Sequence, residues 1–260
     1  MALEALNVHA ICLDREVDRK AKLSASFEKL NIKARISGVD GRHLPSVYAK
    51  KYSIEDAKKI FGRALTNGEI AVYASHFEIW EKIAKKGSSE LSLVVESDAN
   101  VTHSAISVID EIRDLDIKID LVMLSFSSCI PSIYGKISLS NGYSLVKFAR
   151  KANLATAYLL SADGAKELLN KSNSFLMPVD EFLLGGLVKK DMRIYAVYPR
   201  IVYEISGHVA TSTLGHDRWV LKETSEDKIR ETFATDNKPS KVRKSRVSSF
   251  FKSLRLFPWV

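Results

Sequence analysis

Two carboxylates, Glu96 and Asp98, close an apolar run from Leu91 to Val95. In an extended segment residues two apart point the same way, so a buried strand here would deliver both acids from one edge. Such a pair suits a hard divalent cation, which takes oxygen ligands and can bridge a diphosphate. Solvated turn acids capping the next helix are the competing reading. A second acidic pair, Asp180 and Glu181, follows Pro178, and Asp in that place is also a favoured helix cap. His76, seven residues after Glu69, shares a helix flank with it beside the apolar Tyr73 and Phe77, either at a cleft edge or as a structural histidine. Arg15 and Arg19 follow the first apolar run; guanidinium suits phosphate geometry, and a surface arginine is the plainer role. His208 and His216 follow the last expected strand, as further ligands or as loop histidines.

The elements that must position these groups alternate between strand and helix. Val8 to Leu13 reads as a strand leading into a helix marked by Leu23, Phe27 and Leu30, and Lys33 to Ser37 as a second strand closed by the turn Gly38-Val39-Asp40-Gly41. After a polar segment, Thr66-Asn67-Gly68-Glu69 fits a capping box that opens a helix with the stripe Ile70, Tyr73, Ala74, Phe77, Trp80 and Ala84. Ile119 to Leu124 is a further strand. Leu154 to Leu160 runs into a helix over about 161–170, and Arg193 to Val197 with Ile201 to Tyr203 are late strands. This order predicts an α/β sheet, mostly parallel, with helices on both faces. Ligands of such sheets bind at the carboxyl ends of the strands, where Glu96 and Asp98 fall.

The chain has 260 residues, 46% hydrophobic and 27% charged, as in one soluble globular domain. Its +8 charge is not spread evenly. Seven of the 39 basic residues lie after position 236 with no acid among them, leaving 32 against 31 acidic residues in 1–236. The expected division is therefore a nearly neutral domain over 1–236 and a basic tail over 237–260. The first fourteen residues do not read as a secretory signal, and no run approaches the roughly 18 to 20 apolar residues of a spanning helix. Cys12 and Cys129, each in an apolar run and far apart, read as buried free thiols of a reducing cytoplasm.

Several of these segments together resemble glycosyltransferase family 25 of lipooligosaccharide biosynthesis. The residues that carry the resemblance are Leu65-Thr66-Asn67-Gly68-Glu69-Ile70-Ala71, Ser75-His76 with Trp80, and Leu93-Val94-Val95-Glu96-Ser97-Asp98. Val8 to Arg19, the turn at Asp40, Ala157-Tyr158-Leu159-Leu160-Ser161 and Pro178-Val179-Asp180 extend it over about 8–215. One position departs: the family's Glu-Asp-Asp triplet has Ser97 in the middle here. The resemblance implies a GT-A type nucleotide-sugar-binding domain and inverting transfer of a hexose, galactose before glucose, from a UDP-sugar to a saccharide of lipooligosaccharide. It also implies a manganese or magnesium ion, which Asp98 would hold; His208, placed after the last expected strand, is the candidate for a further ligand. Asp180 is then the general base, with Glu181 next, and Arg15, Arg19, Asp40, His76 and Glu96 line the nucleotide-sugar site.

Other classes of function are weaker. A phosphoesterase would also use Glu96 and Asp98 but needs more clustered ligands. A non-catalytic sugar-nucleotide-binding relative is the reading that Ser97 keeps open. Nucleic acid is not an expected partner, because the body is neutral and holds no recognisable reading module. The tail interleaves its cations with Val247, Phe250, Phe251, Leu254 and Phe257 on one helical face, which fits an anionic membrane surface better. The expected location is the cytoplasm, peripheral to the inner face of a bacterial cytoplasmic membrane.

Overall fold

The aliphatic runs become strands of one sheet because their side chains are buried on both faces. The structure, a computed structural model, describes residues 6–87, 90–127, 132, 134–147, 154–183 and 191–205. Its strands are β1 (Asn7–Ile11), β2 (Ala34–Ser37), β3 (Ser92–Glu96), β4 (Ala99–Asn100), β5 (Leu121–Met123), β6 (Ile137–Ser138), β7 (Ser144–Val146), β8 (Ala157–Leu160), β9 (Ile194–Tyr198) and β10 (Tyr203–Glu204). Eight of them form a sheet in the order β2-β1-β3-β8-β5-β9-β7-β6, and β4 pairs with β10 in a separate ladder.

Six of the eight strands point one way, as the sequence predicts, but β8 and β7 are reversed. Both lie inside the sheet, so only three of its seven pairings are parallel: β1 with β2, β1 with β3, and β5 with β9. The sheet is mixed. A strand buried on both faces shows the same apolar run whichever way it points, which is why its direction was not legible.

Two apolar layers flank the sheet. On one side Val94, Met123, Tyr158 and Leu160 pack with α4 (Asn67–Lys86), α6 (Ala162–Lys171) and α7 (Val179–Leu183). On the other, Leu93, Val95, Ala157 and Leu159 pack with α1 (Val17–Lys29) and α5 (His103–Arg113). Helices thus cover both faces, as expected. α5, the helix after the acids, is capped by Thr102 and not by Glu96 or Asp98; the short α2 (Ser46–Ala49) and α3 (Ile54–Ile60) in the polar segment are additions to the sequence expectation.

α4 is the element that reaches the site. Thr66 accepts from the Glu69 N–H while the Glu69 carboxylate returns to the Thr66 N–H, the reciprocal cap the spacing predicts. Ile70, Tyr73, Ala74, Phe77 and Trp80 are buried along one stripe; each large side chain there contributes about 1.5–3 kcal/mol. Gly164 sets α6 against the sheet, since a Cβ there would stand 2.3 Å from the Asp120 carbonyl oxygen.

Candidate functional site

β3 ends at Glu96, and Ser97 and Asp98 form a turn before β4. The two acids are therefore not presented by extended alternation, as the sequence reading assumed. They come together through the turn. β10 folds back along β4, pairing Glu204 with Ala99, and the Ile205 N–H donates to the Asp98 carbonyl at 2.8 Å. A third acid, Glu204, thereby joins the first two. Its carboxylate is steadied by the Thr156 hydroxyl at 3.3 Å and by Arg200 at 3.8 Å.

Burial first, then the charges of Glu96 and Glu204, push the Asp98 carboxyl up to about 6. Asp98 Oδ1 is buried and accepts no hydrogen bond from the described residues. An orphaned carboxylate oxygen is what a divalent cation would satisfy, so Asp98 fits such an ion as a single ligand. Among the described residues no three His, Cys, Asp or Glu side chains are grouped to hold one. His208 and His216 lie outside the described residues, as do Cys129 and the tail over 237–260.

Glu96 is held from the helix side. His76, fully buried, stands with Nε2 at 3.3 Å from Glu96 Oε1 and Nδ1 at 2.8 Å from the Tyr158 hydroxyl, which also accepts from the Trp80 indole at 2.8 Å. Tyr158 is entirely buried and its phenol is pushed well above its ordinary value by desolvation. His76 and Trp80 are one turn apart on α4, so both reach the same residue of β8.

On the opposite flank Arg19, in the first turn of α1, donates to the Ser97 hydroxyl at 3.2 Å. The side chain at the departing triplet position thus touches an arginine rather than Asp98. Arg15 and Arg42 both grip Asp40, at 2.9 and 2.8 Å. Asp40 also caps its own 3-10 turn, and the Arg42 hydrogen bonds hold its carboxyl far below the usual range. That turn is seated on α4: Val39 N–H donates to Ser75 Oγ at 2.9 Å, and a Cβ at Gly41 would lie 2.7 Å from the Asn67 carbonyl oxygen. Glu69 meets a bidentate Arg63 at 2.6 and 2.9 Å, which gives it a structural partner beside its capping role.

Asp180 and Glu181 lie in the first turn of α7, which begins at Val179. Asp180 is thus inside the helix and not its cap. The neighbouring Phe182 packs on Trp80, 5.9 Å between ring centres, so α7 rests on the residue that fixes Tyr158. Glu204 escaped the sequence reading although it carries the same signal as Glu96, an acid closing an aliphatic run. Tyr158 is legible in the sequence only as part of a strand, because nothing along the chain says which helix a buried tyrosine meets.

The model of glycosyltransferase family 25, described as an LPS biosynthesis protein family, matches residues 5–183. A rat protein named "Probable inactive glycosyltransferase 25 family member 3" is 30% identical over 68% of this chain and 32% of its own length. Procollagen galactosyltransferase 1 of zebrafish is 26% identical over 92% of this chain and 42% of its own. Human procollagen galactosyltransferase 2 is 24% identical, with 93% and 41% covered. The chain therefore spans about a third to two fifths of the length of these relatives.

Proposed function

Since the chain belongs to glycosyltransferase family 25, we propose that it moves a hexose from a UDP-sugar to a saccharide acceptor with inversion, on a GT-A type domain. The observation that carries this reading is the buried, unpartnered oxygen of Asp98 between Glu96 and Glu204 at the carboxyl end of the sheet. An apolar domain retains such an uncompensated group where a ligand completes it.

Asp98 would hold a manganese or magnesium ion, with His208 as a further ligand. Such an ion supplies Lewis-acid stabilisation of the charge that gathers on the departing diphosphate. Glu96, fixed through one oxygen by His76, turns its other oxygen to a hydroxyl of the donor. Arg19 faces the diphosphate from the first strand-helix connection. Asp180 takes the proton from the acceptor hydroxyl on the face opposite the leaving group, with Glu181 as the alternative base. Galactose is the favoured sugar, in keeping with the names of two relatives, and glucose is next. The acceptor is a lipooligosaccharide chain, and the basic tail holds the enzyme to the anionic inner face of the cytoplasmic membrane. No helix among the described residues is long and apolar enough to cross it.

A second reading, a sugar-nucleotide-binding protein without transfer, is favoured by Ser97 at the triplet's middle and by the relative whose name carries the word inactive. A thermal-shift screen with UDP-galactose, UDP-glucose and UDP-N-acetylglucosamine, with and without manganese, tests binding. Transfer to saccharide acceptors then separates the two readings. Metal-dependent stabilisation that disappears in Asp98→Ala supports a nucleotide-sugar site; no response to any nucleotide refutes both readings.

A further inference from the structure

The indole of Trp80 only donates, so in its 2.8 Å contact the Tyr158 oxygen is the acceptor. The phenol keeps its proton because burial opposes its ionisation, and that single hydrogen needs an acceptor of its own. Its other close partner is His76 Nδ1 at 2.8 Å. A donating Tyr158 requires Nδ1 to be unprotonated, which puts the hydrogen of a neutral ring on Nε2, facing Glu96 Oε1 at 3.3 Å. Every donor then has an acceptor: indole to phenol, phenol to imidazole, imidazole to carboxylate. The other tautomer would leave the phenolic hydrogen without a partner and set a bare ring nitrogen against a carboxylate oxygen. In a fully buried cluster both faults are severe.

We infer that Trp80 and Tyr158 are positioning residues: they lock His76 as a neutral Nε2–H donor, which pins one oxygen of Glu96 and leaves Oε2 to accept from a hydroxyl of the bound sugar nucleotide. The lock is assembled from three elements. α4 supplies His76 and Trp80, β8 supplies Tyr158, and β3 supplies Glu96. The rings reinforce it, with His76 and Tyr158 stacked at 5.7 Å. Glu96 is 29% exposed where His76 is 0%, so the chain of hydrogen bonds runs from the interior to the surface and ends on the one group a ligand can reach. The substrate half of this statement rests on the glycosyltransferase reading; the tautomer half does not.

The test uses the full chain with 15N-labelled histidine, without ligand at neutral pH. Long-range nitrogen-proton spectra distinguish Nε2, which couples to both ring C–H protons, from Nδ1, and His76→Gln identifies the signal. The expected result is a single proton on Nε2 in the wild type and a mixture of tautomers in Tyr158→Phe, where only the longer 3.3 Å contact with Glu96 still favours Nε2–H. His76 protonated on Nδ1 or on both nitrogens overturns the inference, as does a Tyr158→Phe protein that keeps the wild-type pattern. Donor kinetics supply the second readout. His76→Leu should raise the KM for the sugar nucleotide about 10–100-fold, the usual effect of losing an outer-shell partner. His76→Gln, whose amide nitrogen takes the place of Nε2, should recover most of it. Equal KM values in these two variants refute the role of the Nε2–H. If Tyr158→Phe does not fold, the wild-type spectrum and the His76 pair still decide. A locked tautomer in a protein that binds no sugar nucleotide would support the lock and defeat the glycosyltransferase reading.

Discussion

Asp98 and His9 titrate across nearly the same pH window with opposite consequences for stability. Asp98 is raised from 3.8 to about 6 by burial and by Glu96 and Glu204. Between those values the folded chain holds more proton than the unfolded one, so stability falls as pH rises through the window. His9, 2% exposed in β1, is lowered from 6.5 to about 4 by burial and then by Arg35, Lys82 and Lys86. Here the folded chain holds less proton, and stability falls as pH drops from 6.5 towards 4. Each shift corresponds to about 3 kcal/mol, a large share of the ~5–15 kcal/mol of a typical domain. Their effects oppose each other, so with EDTA present the wild type should vary less with pH between 4.5 and 7.5 than a variant that lacks either group. Asp98→Asn removes one side of the balance. It should be more stable than the wild type by about 3 kcal/mol at pH 7.5 and lose a similar amount on acidification to pH 4.5, as His9 takes up its proton. Asp40, whose carboxyl is held below its ordinary 3.8, acts only below this window. Urea unfolding at fixed ionic strength, at half-unit pH steps, measures all of this. An Asp98→Asn protein that follows the wild-type curve, or is less stable than it at pH 7.5, would refute the claim that Asp98 is a buried, uncompensated acid.

Asp180→Asn should keep UDP-sugar binding, measured by titration, while transfer falls on the order of 10²–10⁴-fold; normal turnover would remove Asp180 from the mechanism. Arg63→Met leaves Glu69, whose side chain is 4% exposed, without its forked partner. It should destabilise the fold by about 3 kcal/mol and leave donor affinity intact below its melting range. A selective loss of donor affinity instead would move Glu69 into the site. The 260-residue chain should float with anionic liposomes while a chain ending at Asp236 does not, and equal flotation of both would defeat the membrane role of the tail.

Local order was legible where a local rule fixes it. The Thr66-to-Glu69 cap, the stripe from Ile70 to Trp80, the strand running into Glu96 and the helix that follows Leu160 all follow from spacing within one element. The place of Glu96 and Asp98 at a strand's carboxyl end was legible too, although the turn that brings them together was not. What failed needed partners distant in sequence. Nothing within Ala157 to Leu160 reports that β8 runs against both its neighbours, and nothing within Tyr203-Glu204 reports that β10 lies along β4.

The sequence by itself determined the family, the alternation of strand and helix, and the presence of Glu96, Asp98 and His76 near one end of the sheet, because each is written in consecutive or helically spaced residues. Only the tertiary structure decided what those residues touch. Glu204 reaches Asp98 across more than a hundred residues. His76 is oriented by a tyrosine 82 positions away, and Asp40 is committed to Arg15 and Arg42. Charge and hydrogen bonding act over a few ångströms of space, so their consequences appear only once the fold has brought those groups together.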